Sequence, residues 1–450
     1  MKKNNIRKKC LTLVKYVLLL AILVSSYIIL MMLTSLIPTK LLTEHVKQSS
    51  EVLVKEGEKK VIDLKYKKEA IFTFTDALMI NITYSQVPSD PLASALLGRK
   101  NYIPNQTEKV HIDSQYNLGA AEGFINKKNG DLYQTKELYA LMHGEKITDS
   151  FEYARYWHGY TTILRPLLVI TNYSGIRVIM LVLTIFLVLA LLYKLYKTFN
   201  IEISLIFFIG LMSVSIFTVT QGINEILVFL IALITSLILL CKKEKTKGLP
   251  EIFFIVGSIT NFLDLLTAPL VTLGIPLIIS ILLLQKDNKN LKQILTEGFK
   301  LCIAWSISYF ITWLTKWIIT QEIYGRPIVT QAFEQIRFRT GTTKSSITFT
   351  WTITKILNSL SKNVCLSIIT LLVIYTVGKT ILQNKKVINV KNNLKNAIPY
   401  VIIAVFPIVW YFVIKQHSFI HSFFTYRILI ITTISIFIVI YKLFEKCKNS

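Results

Sequence analysis

Residues 15–36 read KYVLLLAILVSSYIILMMLTSL, and the reading of this run decides the rest of the chain. An apolar stretch of this length crosses the ~30 Å hydrocarbon core of a bilayer as one helix. It follows a basic flank, MKKNNIRKKC, as a secretory signal does. Its apolar part is too long for a signal core, however, and it meets no small-residue cleavage site. It therefore reads as an uncleaved first span. The pattern recurs along a chain of 450 residues that is 52% hydrophobic, with a mean hydropathy of +0.51. Further runs lie near 175–196, 203–220, 223–241, 251–267, 269–285, 301–320, 361–379, 397–414 and 427–444. The expected fold is an all-α polytopic membrane protein of about ten transmembrane helices. Residues 1–37 form the first helix. Residues 38–172 form an extracytoplasmic loop domain of mixed α/β structure with an interfacial helix. Residues 173–450 form the transmembrane bundle, with an outer loop at 321–360.

Charge sets the orientation. The net charge of +25 would suggest nucleic acid in a soluble protein, but most of the lysines here flank spans, and no nucleic-acid partner is expected. Lys194 and Lys197, Lys242 to Lys247, Lys286 to Lys292, Lys385 to Lys395 and Lys442 to Lys448 all fall on one side once the spans alternate. By the positive-inside rule that side is the cytoplasm, which places both termini there and the protein in a plasma membrane. The nine arginines behave differently: only Arg7 lies inside, while Arg99, Arg155, Arg165, Arg177, Arg326, Arg337, Arg339 and Arg427 lie outside. Arginine grips phosphate or carboxylate with a planar fork, whereas lysine acts as a point charge. The asymmetry points to anion handling on the outer face.

Within 38–172, residues 42–56 carry helical spacing, and the β-branched segments 60–64 and 71–75 favour strands. Two half-apolar, aromatic segments, 149–173 and 344–360, read as interfacial helices. None of the five cysteines lies in the long loop or forms a CxxC pair, and the abundance of Lys, Ile and Asn resembles an AT-rich Gram-positive genome. Walker, GxSxG, HExxH and dinucleotide motifs are missing from the sequence. No cofactor is expected, and a divalent-metal requirement stays open.

Four constellations could carry chemistry. Asp76, in FTFTDALMINITYS, is either a helix N-cap or a general base held at the membrane surface. In KQHSFIHSFFTYR, His417 and His421 share a helical face and precede Tyr426 and Arg427. The pair is a weak metal signal without a third ligand, and phosphate or sugar contact competes with an interfacial anchor. Asn261 and Asp264, with Gln221, Asn224 and Glu225, sit at outer span ends, where an acid either serves catalysis or neutralises an arginine. In QIRFRTG, Arg337 and Arg339 flank Phe338 on an outer loop.

One span, a long external loop with an acid, and many spans with short connections resemble the GT-C class of membrane glycosyltransferases. The stretches TDALMINITYS, YARYWHGYTTILRPLL, TNFLDLLTAPLVTLGIPL and HSFIHSFFTYR also look like a group of Gram-positive membrane proteins from surface-glycan regions. The resemblance implies transfer of a sugar from a polyprenyl-phosphate donor to a cell-envelope glycan or lipid acceptor. Asp76 would be the base in that reaction. Arg165, His421 and Arg427 would stabilise the leaving phosphate, and Arg337 or Arg339 would clamp it. His417, Tyr426 and Asp264 complete the expected substrate site. A lipid-linked oligosaccharide polymerase or ligase shares these features, and a non-enzymatic glycolipid flippase is the other class. The mostly aliphatic span centres count against transport.

Overall fold

The computed structural model describes residues 2–58, 60–63, 68–102, 107–111, 122–126, 134–144, 149–342, 347–361, 378 and 390–444. The chain is built almost entirely of helices. Among the described residues, six are long and apolar enough to cross a membrane: Cys10–Ser35, Tyr173–Thr198, Ile223–Cys241, Leu291–Tyr324, Asn393–Val413 and Ser422–Phe444. The expected spans near 203–220, 251–267 and 269–285 are shorter apolar helices, of 13, 15 and 17 residues. At ~1.5 Å per residue these reach only about 20–26 Å. The expected span at 361–379 lies outside the described residues, apart from its two helical positions 361 and 378.

In chain order, α1 (Lys2–Ser35) leads into α2 (Thr43–Glu56), α3 (Thr73–Tyr84), α4 (Pro91–Leu97), α5 (Gln134–Met142) and α6 (Thr161–Ile170). The bundle then runs through α7 (Tyr173–Thr198), α8 (Ile201–Ser213), α9 (Ile216–Val219), α10 (Ile223–Cys241), α11 (Leu249–Leu263), α12 (Leu270–Lys286) and α13 (Leu291–Tyr324). After it come α14 (Ile328–Thr340), α15 (Phe349–Ser361), α16 (Val390–Ala404), α17 (Phe406–Val413), α18 (Lys415–Ile420), α19 (Ser422–Thr425) and α20 (Ile430–Phe444).

Local chemistry accounts for several boundaries. Helix α13 begins in a capping box, in which the Asn290 side chain accepts from Gln293 N–H and the Gln293 side chain accepts from Asn290 N–H, each at 3.0 Å. It ends at Gly325, whose φ of 61° is the left-handed stop that glycine supplies. This helix runs through the start of the expected 321–360 loop, and α14 and α15 lie within the remainder. The run at 203–220 is broken because Ser215 adopts φ 52° between α8 and α9.

Among the described residues of 38–172, the expected mixed α/β loop domain has no sheet wider than two strands. Its strands form three separate two-stranded antiparallel ribbons: Lys60–Asp63 with Lys68–Ile71, Arg99–Tyr102 with Asp149–Glu152, and Thr107–His111 with Glu122–Asn126. The expected helix at 42–56 is α2 and the strand at 60–64 is present, but 71–75 turns into α3 after a single strand residue. The interfacial helix expected over 149–173 is shorter, a ribbon strand and a turn followed by the ten-residue α6.

Helices α10 and α12 are buried along nearly their whole length and form the centre. Around them, α1 and α7 turn apolar side chains outward, with Leu18 58% and Phe186 65% exposed. A surface of that kind suits apolar surroundings. Helices α11 and α13 cross closely, because a Cβ on Gly257 would stand only 2.3 Å from the Trp305 carbonyl oxygen.

The two ends of the bundle differ. At one, lysine-bearing termini are tied together: Lys286 Nζ donates to the Thr198 carbonyl, Thr246 Oγ1 to Asp287 at 3.1 Å, and Asn393 Nδ2 to the Leu443 carbonyl at 3.1 Å. At the other end stand the starts of α7, α10 and α12 and the turn after α11. The singled-out acids, histidines and arginines gather there.

Candidate functional site

Asp76 is fully buried, in the first turn of α3 rather than at its N-cap. It caps a different helix. Its Oδ2 accepts from Ile223 N–H at 3.0 Å and its Oδ1 from Asn224 N–H at 2.9 Å, closing the open start of α10. The Tyr173 hydroxyl donates to Oδ2 at 2.6 Å, and Arg177 Nη2 donates to that hydroxyl at 2.7 Å. Arg177 also donates to both oxygens of Glu56, at 2.7 and 2.9 Å, and through Nε to the Gln221 carbonyl at 2.7 Å. Burial pushes the Asp76 carboxyl above its ordinary range, against the pull of Tyr173, Asn224 and Arg177. A general base must present a lone pair to substrate. With both oxygens turned to a helix end and a phenol, the catalytic reading of Asp76 gives way to a structural one.

Arg165 is also structural. Fully buried, it donates to the Ile37 and Thr83 carbonyls, at 2.5 and 2.6 Å through its terminal nitrogens, and so ties the end of α1 to α3. Burial pulls its guanidinium down to about 10. Arg427 pairs with Glu225 inside the protein, both nearly without exposure, and its guanidinium lies 5.1 Å from the Tyr426 ring. The expectation that Glu225 neutralises an arginine holds. Asp264 does not share that role: it holds its own turn, accepting from Thr267 N–H at 3.0 and 3.1 Å and from the Thr267 hydroxyl. Asp76 and Arg165 spend their hydrogen bonds on groups other than the histidine pair.

The histidine pair is where several elements converge. His417 Nδ1 meets Arg339 Nη1 from α14, and its Nε2 lies 2.8 Å from the Leu266 carbonyl in the turn after Asp264. If Arg339 donates, Nδ1 is the acceptor and Nε2 carries the proton of a neutral ring. Neither nitrogen is then open to a metal. His421 lies 4.7 Å from His417, ring to ring, and stacks on Phe424 at 5.1 Å. Its ring is partly exposed, yet Nδ1 is buried and without a hydrogen-bond partner among the described residues. Burial, then Arg339 and His421, holds His417 well below the ordinary imidazole value. Burial, then Arg339 and Lys355, pulls His421 down to about 3. Both shifts favour the neutral ring.

Two further elements close on this point. From α15, Thr352 Oγ1 donates to the Lys415 carbonyl at 3.1 Å, and Lys355 Nζ lies 3.9 Å from the centre of the Phe419 ring. From the turn at 153–160, Tyr156 comes within electrostatic reach of Arg339 and Asp264, as does Tyr309 of α13, which hydrogen-bonds Asn261. Gly159 permits that approach, since a Cβ there would stand 2.4 Å from the Phe262 carbonyl. Arg337, two residues before Arg339, is exposed.

The structure thus brings together Arg339, His417, His421 and Asp264, with Arg337 at the margin, and leaves Asp76, Arg165, Tyr426 and Arg427 in supporting networks. Sequence reasoning missed Tyr156, Tyr309, Lys355 and Gln416. The YARYW stretch was legible as an aromatic cluster, whereas Lys355 and Gln416 carried no signal in spacing or motif. Comparison with family models, curated proteins and solved structures returned no match.

Proposed function

We propose that the chain is a membrane glycosyltransferase of GT-C type. In this reading it moves a sugar from a polyprenyl-phosphate donor to a cell-envelope glycan or lipid acceptor on the outer face of a plasma membrane, with both termini cytoplasmic. The observation that carries the reading is the Arg339–His417 contact beside the unpartnered Nδ1 of His421. It lies at the opposite end of the bundle from Lys286 and the lysine-rich turn at 242–247, as the orientation rule requires of an outer site.

The acceptor hydroxyl, held by a hydrogen bond to the neutral His421 imidazole, attacks the anomeric carbon, and its proton ends on the leaving phosphate. The anomeric C–O bond breaks, and the electron pair leaves with the phosphate. Arg339, oriented by His417, and Lys355 supply fixed positive charge where that phosphate gains negative charge. Arg337 closes from the exposed side of α14. Outside a cell no nucleotide sugar is at hand, so a donor carried on a lipid phosphate fits an active site at headgroup depth.

His421→Ala and Arg339→Ala each remove surface-glycan transfer by about 10²-fold or more, with protein levels preserved. Glycan analysis of strains carrying each variant tests this. Normal glycan at normal protein level in both strains ends the proposal, and shortened chains in place of a missing residue would turn it towards a polymerase.

A further inference from the structure

Gln416, on α18 beside His417, is fully buried, and neither its Oε1 nor its Nε2 has a hydrogen-bond partner among the described residues. Its Oε1 lies 3.6 Å from where a Cβ on Gly341 would stand. Gly341 is the left-handed C-cap of α14, two residues past Arg339. The amide therefore rests against the helix end that brings Arg339 to His417. Two more buried atoms in the surrounding elements are unpartnered among the described residues: Ser418 Oγ on the same short helix, and Asn261 Oδ1 on the last turn of α11.

The chemistry of these atoms narrows what meets them. An amide offers two N–H donors and one carbonyl acceptor. A phosphate carries acceptors alone at neutral pH, so it satisfies Nε2 of Gln416 but leaves its Oε1 and Asn261 Oδ1 without a donor. A hydroxyl group gives and accepts at once, and a sugar ring carries several at fixed spacing. Buried polar groups without partners weaken a fold, so they persist where a ligand completes them. A site built to hydrogen-bond a hydroxyl also discriminates strongly against ligands that lack it.

We propose that Gln416 reads hydroxyl groups of the sugar at this site, beside the phosphate-facing Arg339 and His421. The proposal rests on the glycosyltransferase reading and adds to it the residue that separates a sugar-bearing ligand from a bare lipid phosphate. Gln416 is a specificity residue and has no part in bond breaking.

The test uses the full chain in lipid nanodiscs. The probes are farnesyl phosphate and the farnesyl phosphate esters of glucose, galactose, N-acetylglucosamine and rhamnose. At least one ester binds the wild type more tightly than farnesyl phosphate does. Gln416→Leu loses that advantage by about tenfold, while its affinity for farnesyl phosphate and its thermal midpoint stay at or above wild type. Gln416→Glu keeps the size and the acceptor and gives an intermediate preference, which also covers the case of a poorly folded leucine variant. Three results overturn the proposal: no ester binds more tightly than farnesyl phosphate, the advantage survives both substitutions, or the thermal midpoint falls with ligand preference unchanged. Failure of all five probes to bind the wild type removes the underlying glycosyltransferase reading instead.

Discussion

Two buried polar networks share one end of the bundle, and they differ in how much they leave open. Around Asp76, the carboxylate, the Tyr173 hydroxyl, the Arg177 guanidinium and the Glu56 carboxylate each end on a partner, and together they join α2, α3, α7 and α10. Around His417 the contacts are equally buried, yet Gln416, Ser418, His421 and Asn261 keep atoms without one among the described residues. Beside Asp76 only Asn224 Oδ1 is left over among the described residues, and a network so nearly closed is spent on holding helices. An open one retains capacity for something that arrives later. Acidity at the right depth does not identify a catalytic residue; unsatisfied chemistry in a buried place is the better guide.

The comparison breaks most visibly at Asp76. Its replacement by alanine strands the Ile223 and Asn224 N–H groups and the Tyr173 hydroxyl together. We expect a loss of about 3–5 kcal/mol, seen as a collapse in purified yield and thermal midpoint. A variant that melts like the wild type but transfers nothing would reverse the assignment of the two networks. Arg427→Ala comes next, at about 3 kcal/mol, because Glu225 is left charged and buried. The double variant Arg427→Met with Glu225→Gln should recover most of that, and a double-mutant cycle on thermal midpoints measures the recovery.

A smaller effect follows pH. The fold holds His421 at about 3 against an ordinary 6.5. A depressed value means that the native state favours the neutral ring. The associated stability is complete above the unfolded value and is withdrawn as pH falls towards the folded one. Between about pH 7.5 and about pH 4.5 the wild type should therefore lose more thermal stability than His421→Gln. Parallel melting curves would show that the ring is not held neutral. Arg337→Ala sits last, within about 0.5 kcal/mol of wild-type stability because the side chain is exposed. Any effect it has belongs to ligand affinity.

Much of the helical architecture was legible because apolar length is a local property. The run at 223–241 matches its helix residue for residue, and 42–56 is α2 to within one residue. What failed was long-range. Ser215 breaks the 203–220 run through a backbone angle that no residue type announced. Arg165 and Arg427 looked alike as outer arginines, and only the carbonyls of Ile37 and Thr83 and the distant Glu225 show that both are occupied. The histidine pair was legible from i,i+4 spacing. Its partners were not, since Arg339 lies 78 residues away and Leu266 contributes through its backbone.

The cap on α10 bears on how the protein is made. Asp76 precedes the N–H groups it closes by 147 and 148 residues, so the core helix of the bundle is finished by a segment synthesised well before it. Insertion can deliver α10 to its place, but its leading turn stays raw until α3 swings back over it. Completion of the bundle is thereby made contingent on correct folding of the large hydrophilic segment, and a chain whose first loop misfolds is left with an uncapped central helix.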